Sequence, residues 1–499
     1  MGQAIKKLLI ANRGEIALRI VRSARVMGLR TVAVYSDVDA TAAHVGAAHE
    51  AYHLGPPEPA QSYLNIAAIL AAAQASGADA IHPGYGFLSE RPEFARAVTA
   101  AGLTFVGPPA DVMAALGDKL AARRIAIAAG VPVVPGSAIA DLATARDFGD
   151  RAGFPLLVKA AAGGGGRGMR VVATAAELEG ALEAAAREAQ AAFGDGRVFL
   201  EKYLARPRHI EIQLLGDEHG KIVALGERDC SIQRRHQKVI EESPAPGITA
   251  ALRERLIASA LRIARAAGYR NAGTAEFLVD GDDHYFLEVN ARIQVEHPVT
   301  ELRYDRDLVC DQLAIASGAH VVEPGAPRGA AIECRINAED AAHDFRPAIG
   351  RVLALRLPAG PGVRVDTHLL PDAEISPYYD SLLAKLICFG ADREQARMRL
   401  VAALDEFSLL GVQTTAGFLR DVIASEAFAR AELSTRFIPE LFPAWRPADQ
   451  HLRLALIAAA IAANGGNDAR AHADGARPGP ATHSPWTELG QLELWVGRR

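Results

Sequence analysis

Residues 286–301, FLEVNARIQVEHPVTE, place a polar side chain at nearly every second position. If the run is extended, this period of two puts the polar side chains on one face of a strand and the apolar ones on the other. The polar set is Glu288, Asn290, Arg292, Gln294 and Glu296. Two interpretations are open: a half-buried strand with a solvated face, or a strand that gathers carboxylates, amides and a guanidinium at a binding site.

A second strand-like run, residues 274–280, is followed by the turn-prone residues 281–283, which predict a hairpin with a three-residue loop. In a register centred on the middle of that loop, Glu276 faces Glu288 and shares its face with Asn290. Two carboxylates this close repel each other unless a cation lies between them. Oxygen ligands favour a hard cation, so we predict Mg²⁺ or Mn²⁺ here.

Residues 154–172, FPLLVKAAAGGGGRGMRVV, read as strand, glycine loop and strand. The formal GxGxxG match closes a hairpin instead of opening a helix, and no GK[ST] follows, so neither a Rossmann turn nor a P-loop is indicated. Four consecutive glycines allow backbone N–H groups to surround an anion, with Lys159 and Arg167 on either side. A phosphate-binding loop and a floppy hairpin tip both remain open.

Residues 226–246 concentrate cations among few acids. The cations are Arg228, Arg234, Arg235, His236 and Lys238. A charge run is usually a solvated face. The acidic hairpin follows closely in sequence, however. A binding site is therefore also possible, in which phosphate balances the basic run and a metal ion balances the acidic hairpin.

Arg335 lies in an apolar, strand-like run where an unpaired guanidinium would be costly. We expect either an acid such as Glu333 or Glu339, or a ligand, to pair with it.

The composition suggests several domains in a reducing compartment. A chain of 499 residues with 50% apolar content suggests about three domains. A net charge of -5 gives no reason to expect nucleic acid as a partner. The four cysteines show no CxxC pair or zinc spacing, which favours the cytoplasm. No apolar run reaches the ~18 residues of a membrane span, and we expect no membrane association.

The elements that position these residues fall into successive patterns. Residues 1–115 alternate short apolar runs with helix-like segments, which predicts a parallel βαβ sheet. Within them, HPGYGFLSE at 82–90 is either a structural turn or a loop that lines a cleft. Strands are predicted at 198–204 and 208–217 after a helix at 181–193, and beyond 330 a mainly antiparallel unit ends in helices at 391–407 and 414–424.

Together these motifs resemble the biotin carboxylase subunit or domain of biotin-dependent carboxylases, in the ATP-grasp superfamily. The resemblance covers about residues 5–445 and rests on ANRGEIA, HPGYGFLSE, KAAAGGGGRGMRVV, GERDCSIQRRHQKVIEE, EVNARIQVEHPVTE and ECRINAED. It implies an α/β and α+β multidomain fold. The implied domains are a Rossmann-like N-terminal domain (1–115), an ATP-grasp domain (116–330) with a mobile lid at about 131–203, a mainly antiparallel C-terminal domain (331–445), and a helix, a linker and the start of a truncated further domain (446–499).

The resemblance also implies a nucleotide site with two Mg²⁺ or Mn²⁺ ions. Lys119 and Lys159 would bind the ATP phosphates under a lid around Gly165 and Gly166. Glu201, Lys202 and Leu204 would hold the adenine, and His209, Gln233 and His236 would lie near the nucleotide. The metal ligands would be Glu276, Glu288 and Asn290.

Beside this site, the resemblance implies that Lys238, Arg292, Gln294 and Val295 hold bicarbonate. Glu296 would remove the bicarbonate proton so that its oxygen attacks the γ-phosphate. The resulting carboxyphosphate would break down to CO₂ and phosphate, and phosphate could then deprotonate biotin N1. Arg335 would stabilise the biotin enolate. This is ATP-dependent carboxylation of carrier-bound biotin, as one component of an acyl-CoA carboxylase.

Three positions depart from the family pattern: Arg91 and Thr415 replace asparagine, and Asp305 replaces glycine. They put local geometry and partner contacts in doubt. No AMKM-like biotinylation motif occurs, so we expect a separate biotin carboxyl carrier or a longer biotinylated subunit, which the tail with its SPW motif favours. The implied partners are that carrier, a second copy in a homodimer or larger hetero-oligomer, and a carboxyltransferase subunit. The alternatives are another ATP-grasp carboxylate ligase and a catalytically silent ATP-binding assembly subunit.

Overall fold

The computed structural model describes residues 4–139, 141–161, 169–448 and 453–461. The chain divides into two units, residues 1–445 and 446–499. The second contains helical residues 453–461, and the predicted linker and strand-like run after them lie outside the described residues. Within the described ranges, no helix combines the length and apolar character needed to cross a bilayer.

The N-terminal part is a parallel sheet with strand order β3-β2-β1-β4-β5, as the βαβ pattern predicted. Its strands are β1 (Lys7–Ile10), β2 (Arg30–Ser36), β3 (Glu50–Gly55), β4 (Ala80–His82) and β5 (Thr104–Phe105). Its helices are α1 (Gly14–Val26), α2 (Ala43–Ala47), α3 (Ile66–Ser76), α4 (Pro92–Ala100) and α5 (Ala110–Gly117).

A small four-stranded sheet of order β6-β9-β7-β8 follows. Its elements are α6 (Lys119–Ala128), β6 (Gly136–Ala138), α7 (Leu142–Ala152), β7 (Leu156–Ala160), β8 (Arg170–Val172), α8 (Leu178–Phe193) and β9 (Val198–Lys202). Strands β7 and β8 are antiparallel, which confirms the strand, loop and strand prediction. The glycines between them lie outside the described residues.

The central feature is an antiparallel sheet of eight strands in the order β14-β13-β10-β11-β12-β15-β22-β20. Its first half comprises β10 (Arg208–Gly216), β11 (Ile222–Arg234), β12 (Gln237–Ser243), β13 (Asn271–Asp280) and β14 (Asp283–Asn290), with helices α9 (Ala250–Ala266), α10 (His297–Tyr304) and α11 (Leu308–Ala316). Helix α9 packs Leu252 and Leu256 into the core that contains Ile212 and Phe277 of the sheet.

The C-terminal part extends this sheet and adds short antiparallel pairs. Its strands are β15 (Ala330–Asn337), β16 (Glu339–Asp340), β17 (Arg346–Pro347), β18 (Gly350–Arg351), β19 (Ala354–Arg356), β20 (Val363–Thr367), β21 (Glu374–Ile375), β22 (Leu382–Gly390) and β23 (Ser408–Leu410). Its helices are α12 (Arg393–Glu406), α13 (Ala416–Ala424), α14 (Glu426–Ala429) and α15 (Phe437–Leu441). Because β12 pairs with β15, one sheet joins the acidic hairpin to the strand that carries Arg335.

Candidate active site

The central sheet lines a cleft of about 1650 Å³. Every predicted site residue that the structure describes lies on its wall: Lys119, Lys159, Glu201, Lys202, Leu204, His209, Gln233, His236, Lys238, Glu276, Glu288, Asn290, Arg292, Gln294, Val295, Glu296 and Arg335. Gly165 and Gly166 lie outside the described residues.

The acidic hairpin β13–β14 places Glu276 opposite Glu288, as predicted. The predicted three-residue loop is wrong, because Asp280 pairs with Asp283 and leaves only two residues between the strands. A β-bulge at Leu287 adds one residue to β14 and restores the register, so the two carboxylates still face each other.

Glu276 is the most heavily hydrogen-bonded carboxylate of the hairpin. Its Oε1 accepts from Lys238 Nζ at 2.7 Å, Asn290 Nδ2 at 2.7 Å and Gln294 Nε2 at 2.8 Å, and His209 Nε2 lies 2.9 Å from Oε2. Burial alone would raise the pKa of Glu276, but Lys238 and His209 outweigh it and hold that pKa well below its ordinary value. Glu276 is therefore ionised.

Lys238 donates to three buried carboxylates: Glu211 at 2.5 Å, Glu276 at 2.7 Å and Glu296 at 2.7 Å. Burial would lower the pKa of Lys238, but the three carboxylates raise it well above its ordinary value. Lys238 is thus a fixed cation that holds acids from three segments in one place.

Glu296 bridges two cations, because its Oε2 also accepts from Arg335 at 3.0 Å. Burial would raise the pKa of Glu296, but Lys238, Arg335 and Arg228 together lower it below its ordinary value. The carboxylate at the end of the predicted polar run is therefore ionised and buried.

The acid that pairs most closely with Arg335 is Glu241, whose Oε1 accepts from Nε at 2.6 Å. The expectation that an acid pairs with Arg335 is confirmed, but the acid is neither Glu333 nor Glu339. Glu241 lies on the neighbouring strand β12, directly opposite Glu333 in the register, and so reaches Arg335 diagonally across the sheet.

The sequence reasoning missed Glu211 and gave Arg228 no individual role. The guanidinium of Arg228 is fully buried and donates to Glu211, Gln213, Thr274, Gln294 and Thr300. The period of two in RHIEIQLLG could have indicated Glu211, because Glu211 alternates with isoleucines and lies on the same face of the strand as His209.

The remaining side chains predicted to hold bicarbonate are oriented by the protein itself. Arg292 donates to Glu90 at 3.0 Å and to Asn290 Oδ1 at 3.0 Å. Gln294 donates to Glu276, and the carbonyl of Val295 accepts from Lys385 Nζ at 3.1 Å. Strand β14 ends at Asn290, so Arg292, Gln294 and Glu296 lie beyond the strand that the period of two predicted.

Lys119 also lies on the cleft wall and is the first residue of α6, whose N-cap Asp118 accepts from the Ala121 N–H at 2.8 Å. Burial lowers the pKa of Lys119, and Glu288 opposes that shift.

The Glu201 side chain accepts from Lys159 and, at 3.1 Å, from Arg123. Lys202 Nζ donates to the Gly153 carbonyl at 2.9 Å. In the described structure the side chains of Glu201 and Lys202 are thus engaged with the protein.

The tip of the β11–β12 hairpin carries His236, and both tip residues have a positive φ: 49° for Arg235 and 65° for His236. Asp344 accepts from Arg234 at 3.2 Å and from Arg235 at 2.8 Å. The Arg234 guanidinium also stacks 4.2 Å over the Phe345 ring. Arg234 and Arg235 are therefore paired with an acid from a distant segment.

Gln233, two residues before Arg235, contributes an Nε2 that lies 2.8 Å from His209 Nδ1. This contact links β11 to β10 and orients the His209 ring toward Glu276.

The departures from the family pattern have distinct settings. Asp305 adopts a left-handed conformation at the end of α10, with φ and ψ both 51°, so the backbone keeps the geometry that suits glycine. Thr415 Oγ1 accepts from the Asn337 N–H at 3.0 Å. Arg91 directly precedes α4 and lies on the cleft wall.

The residues fit the divalent cation that the resemblance implies. Glu288 accepts no hydrogen bond from the described residues, and burial together with the charge of Glu276 raises its pKa. A cation between the two carboxylates would remove this repulsion, and carboxylate and amide oxygens are ligands that Mg²⁺ prefers.

Three family models match the chain. They are the biotin carboxylase N-terminal domain at residues 4–113, the carbamoyl-phosphate synthase L chain ATP-binding domain at 118–323, and the biotin carboxylase C-terminal domain at 333–440. A biotin carboxylase of Nostoc is 48% identical over 445 residues, which is 87% of this chain and 99% of the relative. The chain belongs to the biotin carboxylase family. A pyruvate carboxylase subunit from Methanothermobacter thermautotrophicus is 48% identical over 87% of this chain and 89% of its own. The chain spans only 38% of mouse mitochondrial pyruvate carboxylase, at 49% identity.

Solved biotin carboxylase structures have the same fold. The biotin carboxylase–β-γ-ATP complex of Campylobacter jejuni has a TM-score of 0.85 and 43% identity, covering 87% of this chain and 99% of that one. The biotin carboxylase domain dimer of Hydrogenobacter thermophilus 2-oxoglutarate carboxylase, with MgADP, ADP and bicarbonate, has a TM-score of 0.86 and 43% identity, covering 89% and 100%. The prediction of a multidomain fold with an ATP-grasp centre is confirmed. The prediction of an ATP-dependent biotin carboxylase is confirmed as well, and so is the family's use of ATP, Mg²⁺ and carrier-held biotin.

Proposed function

We propose that this chain carboxylates carrier-bound biotin with bicarbonate, driven by ATP. The observation that carries the proposal is the buried carboxylate of Glu296 between Lys238 and Arg335, on the same cleft wall as the acidic hairpin. This arrangement suits a base that works beside a phosphoryl-transfer site.

Glu296 acts as the general base toward bicarbonate. Its cationic neighbours lower its pKa and keep it ionised, so the carboxylate is unprotonated before bicarbonate binds. Arg292 and Lys238 attract the anion, and the Gln294 amide and the Val295 backbone orient it. Since these groups are already fixed by protein contacts, they bind bicarbonate with little reorganisation.

Lys119, Lys159, Gly165 and Gly166 bind the ATP phosphates, and Glu201, Lys202 and Leu204 hold the adenine, with His209, Gln233 and His236 nearby. Glu276, Glu288 and Asn290 would hold Mg²⁺. When bound, the ion would offset the negative charge of the phosphoryl group that ATP transfers. The predicted domain limits at 115, 330 and 445 are proposed with this assignment, and the three matched family models support them.

Arg335 stabilises the biotin enolate. Glu241 accepts from its Nε and Glu296 accepts from its Nη2, so the guanidinium lies beside the base on the cleft wall. A cation in this place offsets the negative charge that forms when biotin N1 loses its proton.

Relatives of the chain are subunits or domains of larger carboxylases, and one solved relative is a dimer. From this we propose three partners within an acyl-CoA carboxylase: a biotin carboxyl carrier domain, a second copy of the chain, and a carboxyltransferase subunit. The four cysteines are free, which supports a cytoplasmic location.

The test is ADP release from MgATP, measured with and without bicarbonate and free biotin. We expect both additions to be required for full turnover, and Glu296→Gln to abolish the stimulation while Glu254→Gln, on the exposed side of α9, retains it. ADP release that ignores biotin would favour another carboxylate ligase. No turnover under any condition would favour a silent assembly subunit.

A further inference from the structure

A second pair of carboxylates lies behind Arg335. Glu241 of β12 and Glu333 of β15 are paired in the register and are both 0% exposed. Residues directly opposite on one face of an antiparallel pair have Cβ atoms about 5 Å apart. The two side chains therefore face each other inside the sheet–helix core.

Three of their four oxygens have no hydrogen-bond donor among the described residues. Glu241 Oε1 accepts from Arg335, but Glu241 Oε2 and both oxygens of Glu333 accept from no described group. Orphaned acceptors of this kind are rare in native cores because each costs about 1–3 kcal/mol.

The two nearby cations, Arg335 and Lys385, already pair with other groups. Arg335 is held by Glu241 and Glu296, and Lys385 of β22 lies 3.3 Å from Glu15 and 3.8 Å from Asp366. Lys385 also donates to the Val295 carbonyl. The charged groups that act on Glu333 are thus Glu241, Arg335, Lys385 and Glu296, and none of them donates a hydrogen bond to it.

One proton shared between the two carboxylates would give them a hydrogen bond and remove their mutual repulsion. We propose that Glu333 is a positioning residue whose protonated carboxyl donates a hydrogen bond to Oε2 of Glu241, so that Oε1 of Glu241 holds the Arg335 guanidinium in the cleft. The proposal rests on the proposed role of Arg335 in biotin carboxylation. It assigns Glu333 a role in orienting that cation without touching substrate.

The electrostatics agree with this geometry. Burial raises the pKa of Glu333 well above its ordinary value; Lys385 and Arg335 oppose the rise, and Glu241 and Glu296 add to it. Burial also raises the pKa of Glu241, against Arg335. When Glu333 loses its proton at alkaline pH, Glu241 and Glu333 become two adjacent anions that repel each other. Both then attract the Arg335 guanidinium, which shifts it away from its position beside Glu296, and turnover falls.

The Glu333→Gln variant tests whether residue 333 acts as a hydrogen-bond donor or through its negative charge. The amide keeps a donor toward Glu241 and cannot ionise, whereas Glu333→Leu keeps the volume and has no donor. The exposed Glu323→Gln serves as the control. The variants are compared by kcat and KM for free biotin and for MgATP from about pH 6.5 to 9.5.

We expect Glu333→Gln to retain kcat/KM for biotin within about threefold and to lose the alkaline decline. Glu333→Leu should lower kcat/KM for biotin about tenfold, the worth of one hydrogen bond near 1.4 kcal/mol, with KM for MgATP unchanged. A Glu333→Gln variant as impaired as Glu333→Leu, or one that keeps the alkaline decline, overturns the proposal.

Infrared spectroscopy tests the proton without relying on turnover. The wild-type protein should show the carbonyl stretch of a protonated carboxyl at neutral pH that is missing in Glu333→Gln. Identical spectra overturn the proposal whatever the activity. Absent biotin dependence with the band present would instead count against the proposed function.

Discussion

At the scale of single residues, Lys238 decides the electrostatics of the cleft. Three buried carboxylates from three parts of the chain share its ammonium group. Removing one partner of a buried ion pair leaves uncompensated charge, which costs more than the pair itself contributes.

We predict that Lys238→Met lowers kcat/KM for bicarbonate at least about 100-fold, since a fixed positive charge next to the base is lost. Thermal stability should fall as well, because Glu211, Glu276 and Glu296 then repel one another. The control is Lys221→Met, whose half-exposed side chain pairs with Glu323. Steady-state kinetics and a thermal melt check both effects, and wild-type turnover in Lys238→Met would contradict the role.

The residues that line the cleft could be predicted from the sequence, but their hydrogen-bond partners could not. Parity and family motifs indicated Glu276, Glu288 and Glu296. The pairing of Arg335 with Glu241 depends on strand β12 lying beside β15, which strand order alone determines. Local spacing favoured Glu333 instead, because it lies two residues away on the same strand.

At the scale of elements, the β11–β12 hairpin tip is held in place from outside. Its two residues with positive φ cost conformational energy, and such strain persists where the surroundings hold it. Asp344 and Phe345 supply that hold through Arg234 and Arg235.

We therefore predict that Asp344→Ala raises KM for MgATP by no more than about fivefold, because solvent screens an exposed ion pair, with kcat little changed. A matched control exists: Asp372 is also exposed, has a φ of 66° and pairs with Arg351 at 3.0 Å. Equal effects of Asp344→Ala and Asp372→Ala on KM would rule out a role for this contact in holding the tip.

The end of α10 allows a stability prediction. Asp305 is left-handed, and its 3.4 Å contact with Arg328 joins two exposed side chains, which contributes little. Asp305→Gly should be neutral or stabilising by up to about 1 kcal/mol, whereas Asp305→Ala should lose about 1 kcal/mol because alanine tolerates this conformation poorly. Denaturant unfolding measures both, and equal stability of the two variants would contradict this explanation.

The elements themselves could be predicted where periodicity is strong. The N-terminal parallel sheet, the β7–β8 hairpin and the Glu276–Glu288 register agree with their patterns. The two-residue loop and the bulge at Leu287 could not be predicted. The loop is one residue shorter than predicted and the bulge adds one residue, so Glu276 still faces Glu288 and the alternation of side chains reveals neither feature.

At the scale of the whole molecule, one sheet crosses the limit predicted at residue 330. Its strands run from the acidic hairpin through β12 to β15 and β22. Arg335 therefore lies on the same continuous sheet as the acidic hairpin and reaches Glu296, which follows the end of β14, although Glu296 and Arg335 belong to different predicted domains.

Buried histidines make the fold sensitive to acid. Burial lowers the pKa of His44 and of His82 to about 4, against an ordinary value of 6.5. Below pH 6.5 the unfolded chain takes up protons that the folded chain cannot accept, so stability falls as pH drops from 6.5 toward 4. Each contributes about 2 kcal/mol of loss at pH 5.

We predict that His44→Gln flattens the decline of the melting temperature between pH 7 and pH 5, as followed by calorimetry at about those two values. His320→Gln, at an exposed position, should leave the decline unchanged. A His44→Gln variant with the full wild-type pH dependence would show that this histidine is not buried neutral.

The most direct test of the account is transfer of label from bicarbonate to free biotin in the presence of MgATP. We expect acid-labile labelled carboxybiotin to form in step with ADP in the wild-type protein and to be lost in Glu296→Gln. ADP formation without labelled biotin, or undiminished labelling in Glu296→Gln, would contradict the assignment of Glu296 as the base that activates bicarbonate.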